Sequence, residues 1–191
     1  MRSMGFAFIL LLAVFFVGCS GTVGIEGNPD FEWEGYGTYD WWPEGDFDEG
    51  FGGDEGFEGD EGDEDPDPAP DPVNLNTKQN DQRIRQAIDN DLNGRGFSHN
   101  PGGSSDLEIT FYIANNKEIN PDKYGYHWWK GAQNLENRRY PRGTLVIDVI
   151  NPKDHQLVWR GVDRDAIHSP DEDQKQISQA VRRIMNKFPH R

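Results

Sequence analysis

The feature that most constrains the fold of this chain is an acidic tract between residues 40 and 72. Asp40 through Pro72 holds 15 acidic residues and no basic residue, and it ends in alternating Asp and Pro. Like charges repel, glycine raises the entropy cost of ordering, and alternate prolines favour an extended backbone. We therefore predict a disordered acidic insertion at about 44–72, so the fold must be built from the residues on either side.

The carboxylates of this tract have a second interpretation, as ligands for a hard cation such as Ca²⁺. Their spacing matches neither the EF-hand loop nor the glycine-rich nonapeptide repeat, so nothing preorganises several oxygens around one ion. We favour a solvated, self-repelling segment, and we expect no metal and no cofactor in this chain.

The charge of the chain is distributed unevenly. The formal net charge is -15, but residues 73–191 carry 18 Lys and Arg against 15 Asp and Glu. A basic excess this small does not indicate a nucleic-acid interface. We expect no nucleic-acid partner.

Two segments have the periodicity of amphipathic helices. One runs from Asn80 to Leu92, and the other begins at Ser169, where Pro170 would occupy the first helical position and Glu172 would complete a capping box. Pro189 ends the second helix. The apolar stripes are Ile84, Ala87, Ile88 and Leu92 in the first helix, and Ile177, Ala180, Val181, Ile184, Met185 and Phe188 in the second.

Three runs have strand character, at 107–113, 144–150 and 156–162, and the last two are joined by a hairpin turn. An aromatic run at 31–43 is expected to add a strand at the sheet edge, where Pro43 ends it. The predicted fold class is α+β: a two-layer sandwich with a mostly antiparallel sheet of about four strands and two helices on one face.

The N-terminus has the pattern of a bacterial lipoprotein signal. A basic residue precedes an apolar run that ends in Val17-Gly18-Cys19, which resembles a lipobox, and Cys19 is the only cysteine of the chain. We predict a signal peptide at 1–18, lipidation of Cys19 with acyl chains such as palmitate, an anchor linker at 19–29 and a domain at 30–191. Ser20 indicates sorting to the outer membrane, facing the periplasm.

The strands and helices together resemble the DUF4136 family of bacterial lipoproteins over about Asp30 to Pro189. The resemblance implies a small α+β domain on an envelope anchor, and it carries over no catalytic residue. The family's function is unassigned. The segments that carry the resemblance are 39–43, 83–97, 143–149, 157–161 and 180–189, of which Trp159-Arg160-Gly161 is the most specific.

An aromatic and basic segment between the first and second of the three strand runs is the candidate interaction surface. Aromatic residues beside arginine are enriched at binding surfaces, and paired Trp can stack on sugar rings. The alternative is that the two Trp cover one end of a small core. The residues are Tyr126, Trp128, Trp129, Arg138, Arg139 and Arg142.

Catalytic patterns are weak. Asp163 and Asp165 alternate along the end of the last strand and would share a face, as glycoside hydrolysis needs, but beside Arg160 and Arg164 we favour a solvated strand end. The five histidines have no metal-ligand spacing. We therefore expect a non-enzymatic, lipid-anchored module that binds another envelope protein or has a structural role. The alternatives are a glycan-binding or small-ligand-binding lipoprotein and, third, a carboxylate-dependent hydrolase.

Overall fold

The computed structural model describes residues 23–43, 74–116, 118–132 and 138–189. The signal peptide, Cys19 and the acidic insertion therefore lie outside the described residues. The strands are β1 (Val23–Gly27), β2 (Thr38–Trp41), β3 (Ser98–His99), β4 (Leu107–Ala114), β5 (Thr144–Asn151) and β6 (Gln156–Asp163). The helices are α1 (Lys78–Gly94) and α2 (Gln174–Met185), and a 3-10 turn spans Pro121–Tyr124.

The strands form one open sheet in the order β1-β6-β5-β4-β2-β3. β1, β6, β5 and β4 pair antiparallel, whereas β2 pairs parallel to both β3 and β4. The α+β class is confirmed, but the prediction of about four mostly antiparallel strands was wrong, because the sheet is mixed and has six. β2 is also an inner strand, since β3 forms the edge beyond it.

Sequence reasoning missed two strands, the two-residue β3 and the longer β1, and β1 lies inside the segment assigned to an anchor linker at 19–29. Its two glycines give it a weak strand signal. It forms because five consecutive residues pair in register with β6, from Val23 opposite Asp163 to Gly27 opposite Trp159. Pairing with a distant strand, and not local propensity, determines this element.

Both helices pack on one face of the sheet, as predicted. The predicted stripes of α1 and α2 are buried against alternate residues of β4 and β5, among them Ile109 and Ile147. Fully burying an aliphatic side chain of this size contributes about 1.5–3 kcal/mol, so the two stripes hold the helices to the sheet.

The start of α2 differs from the prediction. The helix begins at Gln174 with Asp173 as its cap, and the Asp173 side chain accepts from the backbone N of Lys175 at 2.7 Å. Glu172 does accept from the backbone N of Ser169 at 3.2 Å, as in a capping box, but its own backbone N donates to Asn80 Oδ1 at 3.0 Å. Because this bond attaches the turn at 169–172 to α1, the turn is not part of α2.

The second face of the sheet is covered by the long connection between β4 and β5. Side chains from this connection pack on β4, β5 and β6 in a second core, so β5 is buried on both faces from residue 144 to residue 150. Cover of a core by Trp128 and Trp129 was one of the two interpretations of this segment, but a full second core on this face of the sheet was not predicted. The second core consists of Tyr112, Ala114, Ile119, Tyr126, Trp128, Trp129, Ala132, Tyr140, Val146, Ile150, Leu157 and Val162.

Candidate functional site

The aromatic residues of the candidate interaction surface lie inside the second core. Tyr126 is 1% exposed, and Trp128 and Trp129 are each 8% exposed. Of the two interpretations of the paired Trp, the one in which they cover a core is confirmed, and the expectation that the aromatic segment lies on the surface was wrong for these rings. The apolar second face of the sheet needs a cover, and the rings supply it. Arg138, Arg139 and Arg142 are exposed, and we call these three the basic patch. Their binding role stays a prediction.

Beneath these rings lies an ion pair between Arg160 of β6 and Asp148 of β5. The two residues are direct cross-strand neighbours, and both side chains are 0% exposed. Arg160 Nε donates to Asp148 Oδ1 at 2.6 Å, and Nη2 donates to Oδ2 at 2.6 Å. Nη1 donates to the Ile119 carbonyl at 3.0 Å, and the Trp128 ring stacks 4.6 Å from the guanidinium carbon. Arg160 therefore ties the connection to the sheet.

Two tyrosines extend this pair into a hydrogen-bonded chain. Tyr126 Oη donates to Asp148 Oδ2 at 2.6 Å, and the hydroxyl of Tyr112 lies 2.8 Å from that of Tyr126. Burial raises the pKa of Tyr126 well above its ordinary value, and the Asp148 charge raises it further. The phenol therefore stays protonated and serves as a donor.

Glu26 of β1 adds a third charge beside the Arg160–Asp148 pair, and we call these three side chains the ion-pair row. It lies directly opposite Arg160, so Glu26, Arg160 and Asp148 alternate in sign across three neighbouring strands. Glu26 Oε1 also accepts from Nη1 of Arg138 in the connection. Burial raises the pKa of Glu26, while the charges of Arg138 and Arg160 oppose the shift. The row links the first strand, the sheet centre and the connection.

Among the described residues, three buried polar side-chain atoms have no hydrogen-bond partner. They are Glu26 Oε2, Trp128 Nε1 and Trp159 Nε1. An unpaired buried carboxylate oxygen is costly. The ion-pair row is thus satisfied at its centre but incomplete at the β1 end.

The two carboxylates considered for hydrolysis have separate environments. Asp163 is fully buried and accepts from Arg183 of α2 at 2.7 Å, whereas Asp165 is exposed and lies 3.5 Å from His168. The expectation of a solvated strand end was wrong for Asp163, and also for Arg160. The buried Asp163 carboxylate therefore contributes an ion pair to the contact between β6 and α2.

The described part of the chain offers little else for chemistry. It contains no group of three or more His, Cys, Asp or Glu side chains that could hold a metal ion. An open, polar groove of about 460 Å³ runs between the helices, lined by Asn90, Arg95 and Arg182 among others. Within the described ranges, neither helix is long and apolar enough to cross a bilayer.

Sequence reasoning missed the ion-pair row, although a signal was present. Asp148 interrupts an apolar strand run and shares a face with Val146 and Ile150, and Arg160 does the same in the next strand. Charged residues in register on buried faces of a hairpin indicate a buried pair. Glu26 gave no such signal, because β1 was not recognised as a strand.

Together these observations define a class: a small α+β domain whose open mixed sheet has helices on one face and a buried row of charges on the other. The chain belongs to the DUF4136 family, described as a domain of unknown function, whose model matches residues 24–190. No curated protein matches the chain.

Distant similarities exist among solved structures. A PDZ domain protein from Parabacteroides distasonis ATCC 8503 aligns with a TM-score of 0.46 and 10% identity, over 90% of this chain and 36% of that one. The chain thus spans about a third of that protein's length. Two PelC dodecamers from Paraburkholderia phytofirmans, one of them a point variant, align with TM-scores of 0.46 and 9–10% identity, over 90% of this chain and 98–99% of theirs.

Proposed function

We propose that this chain is a lipid-anchored protein of the bacterial envelope that faces the periplasm from the outer membrane and acts through protein contacts, not as an enzyme. The observation that carries the proposal is the position of β1, which begins at Val23, four residues after Cys19. A fully extended chain spans about 3.3–3.6 Å per residue, so this tether reaches at most about 14 Å. A lipid on Cys19 would hold the β1 edge of the sheet close to the membrane.

The basic patch supplies a contact surface that reaches that edge at Arg138 and extends along the connection to Arg142, beside the end of β4. Arg138 bonds to Glu26 of β1, and Arg139 and Arg142 follow it on the exposed connection. Arginine is enriched at protein interfaces. The glycan-binding alternative depended on Trp128 and Trp129 as open stacking faces, and their burial leaves it without a favouring observation.

Crosslinking in cells tests this proposal. The tagged full chain should capture one dominant envelope protein, and Cys19→Ala should abolish both the capture and the recovery of the chain in the membrane fraction. Arg139→Glu combined with Arg142→Glu should reduce the capture severalfold, because it reverses the patch charge. Arg182→Glu, in the groove between the helices, is the matched control and should leave the capture unchanged.

Two results would contradict the proposal. Membrane recovery that is unaffected by Cys19→Ala would exclude the lipid anchor. Capture of abundant bystanders alone, equal in all variants, would exclude a specific contact surface.

A further inference from the structure

Among the described residues, no strand lies beyond β1 at this outer edge of the sheet, so its outward backbone groups have no strand partner there. β1 has β6 as its neighbour on one side and ends the sheet on the other. Asn28 N donates to the Val158 carbonyl at 2.9 Å, which continues the β1–β6 register. Since backbone groups alternate in direction along an antiparallel strand, Val23, Ile25 and Gly27 direct theirs toward the open edge.

This edge lacks several of the usual protections against pairing. Natural edge strands are protected by lysine, proline or a bulge, by short length or by inward-pointing charges, and β1 has only its five-residue length and the buried Glu26. Val23–Gly27 contains neither lysine nor proline, and it pairs with β6 without irregularity. Ile25 is 54% exposed and is the only exposed large hydrophobic residue in the described part of the chain. A strand of this kind is suited to accept a further strand.

We propose that the strand added to this edge is β1 of a second copy of the chain, paired antiparallel and centred on Ile25. In this register Ile25 of one copy lies opposite Ile25 of the other, and Val23 lies opposite Gly27. Every outward backbone group of β1 then finds a partner on the other copy. The two exposed isoleucine side chains meet on the face that carries the helices.

Charge complementarity on the opposite face of the sheet favours a second copy of the chain as the source of the added strand. A methyl group placed on Gly24 would lie 3.4 Å from Nη1 of Arg164, so this guanidinium lies over Gly24. Gly24 and Glu26 share a face of β1, because side chains alternate along a strand. In the centred register Gly24 of one copy lies opposite Glu26 of the other.

Pairing therefore brings Arg164 of each copy beside the Glu26 carboxylate of the other. Arg164 is exposed and forms no salt bridge among the described residues, although its charge already favours the ionised form of Glu26 in its own copy. Glu26 is buried, its Oε1 accepts from Arg138, and its Oε2 has no hydrogen-bond partner there, so pairing adds a second guanidinium beside a carboxylate that is only half satisfied. The two-fold symmetry of the pair repeats this attraction twice. A five-residue strand is a small interface, so the shared membrane surface of the proposed function would strengthen pairing by raising the local concentration.

Disulfide crosslinking of the full chain tests the register. Ile25→Cys should give a disulfide-linked dimer on a non-reducing gel, because directly opposed strand residues lie within disulfide reach. Gly27→Cys is the matched control on the same edge and face, and it should give little dimer because Gly27 opposes Val23 and not itself. Coexpressed Val23→Cys and Gly27→Cys chains should crosslink to each other.

Sedimentation of the purified chain tests pairing in the absence of a membrane. A failure of the dimer proposal can therefore be distinguished from a failure of the proposed lipid anchor. Ile25→Pro removes one outward N–H and should abolish the dimer while circular dichroism stays unchanged. Arg164→Glu should weaken dimerisation about tenfold, since it turns two attractions into repulsions. Arg182→Glu should have no effect.

The proposal is overturned if Ile25→Cys and Gly27→Cys crosslink equally, or if neither does. It is also overturned if Ile25→Cys crosslinks to a different protein, which would make the edge a site for another partner.

Discussion

At the scale of single residues, the centre of the second core is polar although its surroundings are apolar. Arg160 and Asp148 are both fully buried, and each is held by two parallel hydrogen bonds to the other. A buried ion pair contributes little net stability compared with apolar residues of the same shape, but removal of one partner leaves an uncompensated charge. We therefore expect the pair to fix the arrangement of the connection more than it stabilises the domain.

Arg160→Met should lower the free energy of unfolding by about 3–5 kcal/mol, because it leaves the Asp148 carboxylate buried with only the Tyr126 hydroxyl as a described side-chain donor. Urea unfolding followed by circular dichroism measures this loss. The double variant Arg160→Met with Asp148→Asn should lose less than the sum of the two single variants. Additive losses would mean that the two side chains do not interact.

Glu26 predicts a pH dependence of stability. Its pKa is raised above the ordinary 4.5 by burial, so the folded chain binds this proton more tightly than the unfolded chain. The free energy of unfolding of the wild type, relative to Glu26→Gln, should therefore fall as pH rises from 4.5 through the raised pKa, and should level off above it. Urea unfolding of both proteins across this range provides the measurement. A difference that grows with pH would mean that the Arg138 attraction outweighs burial.

At the scale of elements, the contact between α2 and β6 depends on a glycine. A methyl group placed on Gly161 would lie 2.3 Å from Ile184 Cγ2 and 2.3 Å from the Trp159 ring. No side chain fits in this space without moving the helix or the indole ring. Each residue of the Trp159-Arg160-Gly161 segment thus has its own role. Trp159 places an indole on the helix face of the sheet, Arg160 places a guanidinium on the other face, and Gly161 allows α2 to pack closely.

Gly161→Ala should destabilise the domain by about 1–3 kcal/mol through overpacking. Thermal unfolding measures the effect as a lower Tm. Gly27→Ala is the control within a strand, because a methyl group there meets its nearest atom at 3.6 Å, and it should change stability by less than about 0.5 kcal/mol. Equal Tm values for both variants would show that α2 does not approach β6 this closely.

At the scale of the whole molecule, the domain is organised around β5. This strand lies between β4 and β6, has helices over one face, and has the connection over the other. β1 and β3 lie at the two ends of the sheet, and β3 has only two residues. Protection from solvent should therefore decrease from the centre of the sheet toward both edges.

Hydrogen exchange followed by mass spectrometry should find the slowest amides in β5 and faster exchange in β1 and β3, because edge strands open without global unfolding. Dilute protein is required for this comparison, since pairing of β1 between copies would protect its outward amides. Exchange in β1 that stays as slow as in β5 at every dilution would contradict a free edge.

The candidate site was less predictable than the elements that carry it. The apolar stripes of α1 and α2 and the strands β4, β5 and β6 follow from local periodicity, which depends on neighbours in sequence. The burial of Trp128 and Trp129 depends on which face of the sheet the connection covers, and a loop has no periodicity that indicates this. Asp148 and Arg160 were visible as charges in apolar runs, but their pairing needed the register of β5 and β6.

The sequence by itself determined the helices, the central strands, the family and the separation of an acidic tract from the rest of the chain, because each of these depends on local pattern or composition. Only the tertiary structure decided that β1 is a strand, that β2 runs parallel to its neighbours, that α2 begins at Gln174, and that the aromatic rings cover an ion-pair row. These features arise from contacts between residues far apart in sequence. Their energies come from strand register and the burial of a shared face, neither of which is contained in any single segment.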